Sequence, residues 1–220
     1  MIRRFAAAAA LTALTLTGCA HSIEGSATWP GARLDKVLLT PADFPPGVQF
    51  DRVIRDSGQG SDGAGAPPAM LSRPSGCSEG LTRVIAQSGE RGPGSAAEYV
   101  GYDGARIVMT VLTWRLDLEK LAATADRCAR FETFFDESSP GIPMTTSRMD
   151  TSRAEALVYE QTMKLGGVDS HVYFAFENIG DMAVYGVAFP TPNPTIPVKA
   201  TLPQTFLDIA VEQAERVAAL

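Results

Sequence analysis

The sequence predicts an α+β domain in which an antiparallel sheet packs against two or three helices. Segments that alternate apolar and polar residues are mixed with segments of helical spacing, without the regular strand–helix–strand order of a parallel fold. Short turn motifs join most of the alternating segments, which favours antiparallel hairpins. The chain has 220 residues, of which 45% are hydrophobic, enough for one domain with its own core.

The first half of the chain is predicted to carry three strands, a hairpin turn and two long helices. Thr40-Pro41-Ala42-Asp43 has the form of a capped first helical turn. Asp103-Gly104 is typical of a tight hairpin turn, and Asp117 can cap the second long helix. The predicted elements are a strand at 48–54, an exposed loop at 56–76, a helix at 76–88, strands at 97–102 and 106–115, and a helix at 118–135.

The second half is predicted to be an antiparallel meander followed by one helix. Gly166-Gly167 and Ile179-Gly180-Asp181 supply turns between alternating segments. Thr201-Leu202-Pro203-Gln204 combines a capping box with proline, and opens a final amphipathic helix that ends near 218. The predicted strands are 145–150, 156–164, 171–178 and 182–189, and a proline-rich crossover spans 190–203.

The N-terminus predicts a lipoprotein. Arg3 and Arg4 precede an apolar stretch that is too short to span a bilayer. Leu16-Thr17-Gly18-Cys19 resembles the bacterial lipobox, in which the cysteine receives a diacylglycerol group (carrying acyl chains such as palmitate) and becomes the first mature residue. The alternative is an ordinary signal peptide with a chance cysteine. We expect a lipoprotein signal peptide at 1–18, a flexible tether at 19–33, and an extracytoplasmic domain at 34–220.

The predicted lipoprotein signal places the domain on the extracytoplasmic face of the cell membrane, to which lipidated Cys19 would attach it. Without residues 1–18 the chain keeps 17 basic and 25 acidic residues, a net charge of −8. An acidic chain without a basic cluster is not typical of a nucleic-acid binder. Arginine outnumbers lysine, and alanine, glycine and proline are plentiful, as in GC-rich actinobacterial genomes.

Cys77 and Cys128 form an even pair after Cys19 is assigned to the lipid. Both fall on the apolar faces of predicted helices, and a disulfide is the default in an oxidising compartment. Two buried free thiols are the alternative. We therefore expect a Cys77–Cys128 disulfide that joins the first two long helices.

Several of these features resemble a known group. The segment from Leu38 to Gly47, the two cysteines and the closing meander and helix are similar to mycobacterial lipoproteins related to the extracellular sensor domain of a mycobacterial Ser/Thr kinase, the PknH-like extracellular domain. The resemblance covers 34–220. It implies an antiparallel sheet packed against helices, disulfide reinforcement and a cleft for an unidentified ligand. The kinase sensor domain carries two disulfides, whereas this mature chain can form only one.

One five-residue segment of the sequence matches a catalytic motif. Gly76-Cys77-Ser78-Glu79-Gly80 matches the nucleophile elbow of α/β-hydrolases, but Ser78 follows a loop rather than a buried strand. Asp169 and His171 complete the residue types of a triad without a loop to present the base. The sequence has no zinc ligand set, calcium loop or phosphate-binding glycine loop, so we expect no catalytic residue, no cofactor and no metal.

The predicted strands suggest a binding face instead. His171 and Tyr173 share one side of their strand, opposite Val172, Phe174 and Phe176. If helices cover the Phe174 side, the other side presents His171, Tyr173, Trp114 and Arg106, a mixed aromatic and polar lining typical of ligand sites. The alternative is a solvated sheet face with aromatic cross-strand pairs.

These observations favour a lipid-anchored, non-enzymatic ligand-binding or sensor-like domain of the cell envelope, whose partner is an unknown envelope ligand or protein. One alternative is a carrier of lipids or other hydrophobic molecules, which requires an apolar cavity lined by Phe174, Phe176 and Met163. The other is a secreted serine hydrolase that uses Ser78, which requires His171 near its hydroxyl.

Overall fold

The centre of the protein is a nine-stranded antiparallel sheet. The computed structural model describes residues 30–54, 70–87 and 94–220. The sheet order is β1-β3-β4-β9-β8-β7-β6-β5-β2. The strands are β1 (Gln49–Ile54), β2 (Leu71–Arg73), β3 (Ser95–Tyr102), β4 (Ala105–Leu112), β5 (Arg130–Phe134), β6 (Ile142–Arg148), β7 (Leu157–Leu165), β8 (Val168–Ile179) and β9 (Met182–Phe189).

Helices lie on both faces of this sheet. In the described residues they are α1 (Pro30–Val37), α2 (Gly80–Gln87), α3 (Leu118–Arg127) and α4 (Gln204–Ala218), with a 3₁₀ turn at Pro41–Asp43. We call the sheet face under α1 and α4 the α4 face, and the opposite face, under α2 and α3, the α3 face. The antiparallel sheet of the prediction is confirmed, but the fold is dominated by the sheet and has helices on two sides. No helix in the described ranges is both long enough and apolar enough to cross a membrane.

Each face has its own apolar core, because successive strand residues point to opposite sides. On the α4 face, Val100 and Met109 pack with Phe206 of α4. On the α3 face, Phe174 and Phe176 pack with Leu121 of α3. The two phenylalanines therefore lie under helices as predicted, while the opposite side of β8 is also covered.

The disulfide is confirmed between Cys77 and Cys128, whose Cα atoms lie 5.5 Å apart. Neither cysteine lies inside a helix, however. Cys77 stands in a turn before α2, and Cys128 is the C-terminal capping residue of α3. The bond thus joins the start of one helix to the end of the other.

The second long helix is shorter than predicted. It ends at Arg127, and 130–134 forms strand β5 instead of continuing to Phe135. The sequence of β5 alternates exposed and buried residues, with Phe131 and Thr133 inside, and pairing with β6 satisfies its backbone. Strand pairing therefore outweighed the helical propensity of this segment.

Two other segments contain structure that was not predicted. Strand β2 lies in the predicted 56–76 loop and pairs with β5 at the sheet edge. Helix α1 begins at Pro30, inside the predicted tether of 19–33. Its Leu34 and Val37 are fully buried in the α4-face core, which explains why this stretch is held in place. Cys19, the signal peptide and the rest of the tether lie outside the described residues.

The predicted turn chemistry is confirmed at three positions. Thr40 and Asp43 form the capping box of the 3₁₀ turn. Asp117 accepts a hydrogen bond from the Lys120 N–H at the start of α3, at 2.9 Å. Gly104 has a φ of +93° in the β3–β4 turn, a conformation that glycine adopts without steric cost. Local signals of this kind do not depend on distant parts of the chain.

Candidate functional site

The predicted binding face does not exist as one surface. The register pairs Arg106 with Phe189, and Phe174 with Val187 on the same side of β9. Arg106 and Trp114 therefore belong to the α3 face, whereas His171 and Tyr173 belong to the α4 face. Alternation determines which residues of a single strand lie on the same face. Whether residues of two different strands share a face depends on the register, and a shift of one residue moves them to opposite faces.

Trp114 is not on an open surface. It follows β4 and packs, half-buried, against the α2–α3 core. Its indole Nε1 is buried and has no hydrogen-bond partner among the described residues. This side chain contributes to packing under the helices and does not present a binding face.

His171 and Tyr173 form a small cluster on the other face. The two rings stack with centroids 6.4 Å apart, and the His171 Nδ1 lies 2.9 Å from the Glu160 Oε1. Tyr173 is 6% exposed, and burial together with the Glu160 carboxylate raises the pKa of its hydroxyl. The histidine is half-exposed, but its stacking partner is part of the core.

Arg106, in contrast, lies in a groove of about 310 Å³. The floor is the α3 face of β1, β3 and β4, and the wall is part of the proline-rich segment after β9. We call this feature the Arg106 groove, lined by Gln49, Asp51, Tyr99, Gly101, Arg106 and Asn193, together with Ile196 and neighbouring backbone. Its volume is at the lower end of the range for small-molecule sites.

The strand register places the polar groups of this groove in two rows. Arg106, Gly101 and Gln49 lie opposite one another across β4, β3 and β1, and Val108, Tyr99 and Asp51 form the row two residues further along. The Arg106 guanidinium carbon stands 5.5 Å from the centre of the Tyr99 ring. That contact is a cation–π arrangement, which holds the guanidinium over the groove floor.

The wall is fixed by hydrogen bonds to the β3–β4 turn. The Asp103 N–H donates to the Val198 carbonyl, and the Ala200 N–H donates to the Asp103 carbonyl, both at 2.9 Å. The Asp103 Oδ1 accepts from the Asn193 N–H at 3.1 Å. The Asp103 backbone thus holds the segment that follows Ile196, and the Asp103 Oδ1 holds Asn193 before it.

Two side chains of the groove carry hydrogen-bond donors that no described residue uses. Within the described parts of the chain, Arg106 makes no hydrogen bond or ion pair, and its side chain is exposed. The Asn193 Oδ1 accepts from the Thr195 N–H and Oγ1, which leaves the Asn193 Nδ2 as the available group. Asp51 is the exposed acid in the lining, and its Oδ1 accepts from the Arg52 N–H at 2.8 Å.

Beneath the groove, on the α4 face of the same strands, lies a buried polar cluster. Glu98 is 1% exposed, and its Oε1 lies 3.4 Å from the Arg52 Nη2. Its Oε2 and the Arg52 Nε have no partner within the described ranges. Burial raises the pKa of Glu98 to about 8, although the Arg52 and Arg216 guanidinium groups oppose the shift.

Helix α4 completes this cluster. The Gln213 Nε2 donates to the Val37 carbonyl at 2.7 Å, and Arg216 donates to the Leu38 carbonyl and to the Asp43 Oδ1. Burial raises the pKa of Asp43, but its hydrogen bonds from Arg216 and Thr40 outweigh that effect and hold the pKa below its usual value. The cluster thus ties β1 and β3 to α4 under the groove.

Ser78 and His171 do not form a catalytic pair. The Ser78 hydroxyl contacts the Met70 carbonyl and the Glu79 carboxylate before α2. His171 contacts Glu160 and Thr162 on the α4 face. Since a base must lie within hydrogen-bond reach of the serine it activates, the geometry required by the hydrolase hypothesis is not formed.

Two of the three residues expected to line the cavity of a lipid carrier, Phe174 and Phe176, are packed in the α3-face core instead. The space that Phe176 lines, beside α4, has about 20 Å³, which is room for about one water molecule. In the described part of the chain no three His, Cys, Asp or Glu residues are grouped to hold a metal ion.

Sequence reasoning found Arg106 but missed its neighbours Tyr99, Asp51, Gln49 and Asn193. One signal was available. Gly101 interrupts an otherwise regular strand, and glycine at such a position marks a bulge or the close approach of a ligand or backbone. The pairing of β1 with β3 cannot be predicted from the local sequence of either strand, because other residues separate the two strands in the chain.

No protein-family model matches the sequence, and no curated protein matches it. A solved structure that aligns with this chain is that of an uncharacterized protein from Mycobacterium smegmatis, the Rv0999 ortholog. The alignment covers 87% of this chain and 96% of that chain, at 14% identity and a TM-score of 0.45. Similarity at this level assigns neither a family nor a function.

Proposed function

We propose that this protein is a non-enzymatic, lipid-anchored binding or sensor-like domain on the extracytoplasmic face of the cell membrane, and that it binds a small ligand in the Arg106 groove. The observation that carries the binding proposal is the groove itself, about 310 Å³ in volume and lined by a guanidinium without an internal partner. Unpaired donors beside aromatic surface are the usual composition of a ligand site.

The anchor is proposed from the lipobox and concerns Cys19. Ten residues, 20–29, separate this cysteine from the start of α1 at Pro30. At about 3.5 Å per residue, they can extend at most roughly 35 Å. The domain would therefore stay close to the membrane surface, within reach of ligands of the envelope.

The location is tested with Cys19→Ala. We expect the wild-type chain to incorporate a fatty-acid analogue in the producing cell and to fractionate with membranes. Cys19→Ala should carry no label and should appear either in the released fraction or as uncleaved precursor. Cys77→Ser is the control for loss of a cysteine as such. A wild-type chain without label would refute the anchor.

Binding is tested by filling the groove. A Cβ atom at Gly101 would lie 3.4 to 3.6 Å from the side chains of Gln49 and Ile196, which is ordinary contact. Gly101→Leu should therefore fold and extend its side chain into the groove. Thr145→Leu places the same leucine side chain at an exposed position of β6 and is the control.

The two variants and the wild type are immobilised as full chains and exposed to the small-molecule fraction of an envelope extract. Mass spectrometry should detect compounds that the wild type and Thr145→Leu retain and that Gly101→Leu loses by at least roughly tenfold, or about 1.4 kcal/mol. If no retained compound depends on Gly101, the groove is not the binding site and the proposed function is wrong.

A further inference from the structure

The electrostatics of the groove indicate what kind of ligand it would take, an inference that rests on the proposed function. Arg106 offers five N–H donors in a planar fork, and no described residue uses them. Side-chain acids elsewhere in the protein are drawn to arginines, as in the Arg153–Glu177 pair with contacts of 2.6 Å. Arg106 is instead held over an aromatic ring, with its donors left open.

The acids near the groove do not neutralise Arg106. Asp103 is engaged by the Asn193 N–H. Asp51 lies in the row of Tyr99 but forms no ion pair with Arg106, and its Oδ1 is engaged by the Arg52 N–H. A negatively charged group from outside would therefore complete a charge-assisted, bidentate contact that the chain itself leaves unmade.

Two features limit the charge and shape of that ligand. Asp51 places a negative charge on the far side of Tyr99, which disfavours a second anionic group on the ligand. Tyr99 and Ile196 contribute apolar surface next to the guanidinium, which favours a flat or branched apolar body. The Asn193 Nδ2 can add one neutral hydrogen bond.

We propose that the Arg106 groove binds a small organic molecule through one anionic group, a carboxylate or a phosphate, which pairs with the Arg106 guanidinium while an apolar body packs on Tyr99 and Ile196. The interaction is reversible and involves no covalent step. The preorganised guanidinium reduces the side-chain entropy lost on binding.

The experiment compares acids with their neutral amides on the full 220-residue chain in mild detergent. The probes are phenylacetate with phenylacetamide, indole-3-acetate with indole-3-acetamide, and phenyl phosphate. Backbone amide NMR reports the site, and we expect the signals of Tyr99, Gly101 and Arg106 to shift. A charge-assisted pair should make each carboxylate bind roughly tenfold or more tightly than its amide.

Three variants test the origin of that preference. Arg106→Gln should make acid and amide bind equally, while the control Arg130→Gln, at an exposed arginine of β5, should retain the difference. Asp51→Asn should strengthen carboxylate binding about two- to threefold without affecting the amides. Phenyl phosphate binding more tightly than phenylacetate would assign phosphate esters, and the reverse order would assign carboxylic acids.

The outcomes separate the two proposals. Probes that shift the groove signals, and are blocked by Gly101→Leu, but bind equally as acid and amide would overturn the anion inference and leave the binding function in place. Probes that shift no groove signal would also overturn the inference. In that case the extract experiment tests the proposed function separately, by whether Gly101→Leu loses compounds that the wild type retains. Acid preference that survives Arg106→Gln would exclude Arg106 as the anion-binding group.

Discussion

The two faces of the β1–β3–β4 end of the sheet have opposite environments although they are built from the same strands. On one face, Tyr99, Asp51 and Arg106 line an open groove. On the other, Glu98 and its neighbour Arg52 are enclosed beneath α1 and α4. Adjacent residues of one strand point to opposite faces of the sheet, and helices cover only one of these faces here. Charged side chains are accessible on the uncovered face and buried on the covered face.

The difference teaches that charge alone does not identify the functional side of a sheet. Burial raises the pKa of Glu98 to about 8, but its carboxyl is enclosed beside Arg52 and faces no open space. The accessible volume lies on the opposite face of β3, in the Arg106 groove. A strongly shifted pKa marks a candidate site only when it accompanies a cavity, and here the two lie on opposite sides of β3.

The largest expected effect is a dependence of stability on pH that originates on the buried face. The pKa of Glu98 is about 8 in the folded protein and about 4.5 in the unfolded chain. Between these values the folded state holds one more proton than the unfolded state, so stability falls as pH rises. This contribution is complete below about pH 4.5 and is lost above about pH 8.

Over that window, each pH unit should lower the equilibrium constant for folding by up to about tenfold. The charged groups that act on Glu98 are Arg52 on β1, Asp43 in the 3₁₀ turn and Arg216 on α4. Burial also raises the pKa of Glu212, which adds to the slope with the same sign. Urea unfolding at pH 5, 6, 7 and 8 measures the total.

Glu98→Gln should flatten this profile, because the amide stays neutral at every pH. At pH 8 the variant should be at least as stable as the wild type, since no buried charge must form. Glu155→Gln changes an exposed acid and should leave the slope as it is. A wild-type slope retained in Glu98→Gln would show that Glu98 is ionised throughout, and would remove the contrast between the two faces.

A smaller effect compares the same apolar substitution on each face. Val100 is 1% exposed in the α4-face core, whereas Val108 is half-exposed on the α3 face of the neighbouring strand. Val100→Ala should lower the free energy of unfolding by roughly 2 kcal/mol through lost burial and a residual cavity. Val108→Ala should lower it by less than about 1 kcal/mol.

Denaturant unfolding at pH 6, with both variants and the wild type at equal concentration, measures this pair. Equal losses would show that the open part of the α3 face is covered in solution. Such a result would also close the Arg106 groove to ligands. Both positions are valines in strands, so β-propensity cancels between them.

Local chemistry predicted much of the secondary structure. The strand that ends at Phe189 was predicted with the bounds Met182–Phe189 that the structure shows, because its turns and alternation are local. The Asp117 cap and the Asp103-Gly104 turn were found for the same reason. The error at 118–135 arose because helical spacing continued past Cys128, while the competing pairing of β5 with β6 involves residues that are distant in sequence.

The candidate site was predicted only in part. Arg106 was named from the sequence, and it lines the groove. Trp114, His171 and Tyr173 were grouped with it on the assumption that their strands share one exposed face, and the register of β4, β9 and β8 separates them. The register of β4 against β9 joins strands that are distant in sequence, so no single strand encodes it.

The sequence by itself determined the antiparallel hairpins, the caps at Thr40 and Asp117 and the two-sided character of β8, because each follows from residue type and short spacing. It also identified Cys77 and Cys128 as the available pair for a disulfide. Tertiary structure alone decided that β1 joins β3, that helices cover both faces, and that the segment after β9 returns along the β3–β4 turn to form a groove wall. Those contacts depend on which apolar surfaces meet, a free-energy balance over the whole core rather than a property of any one segment.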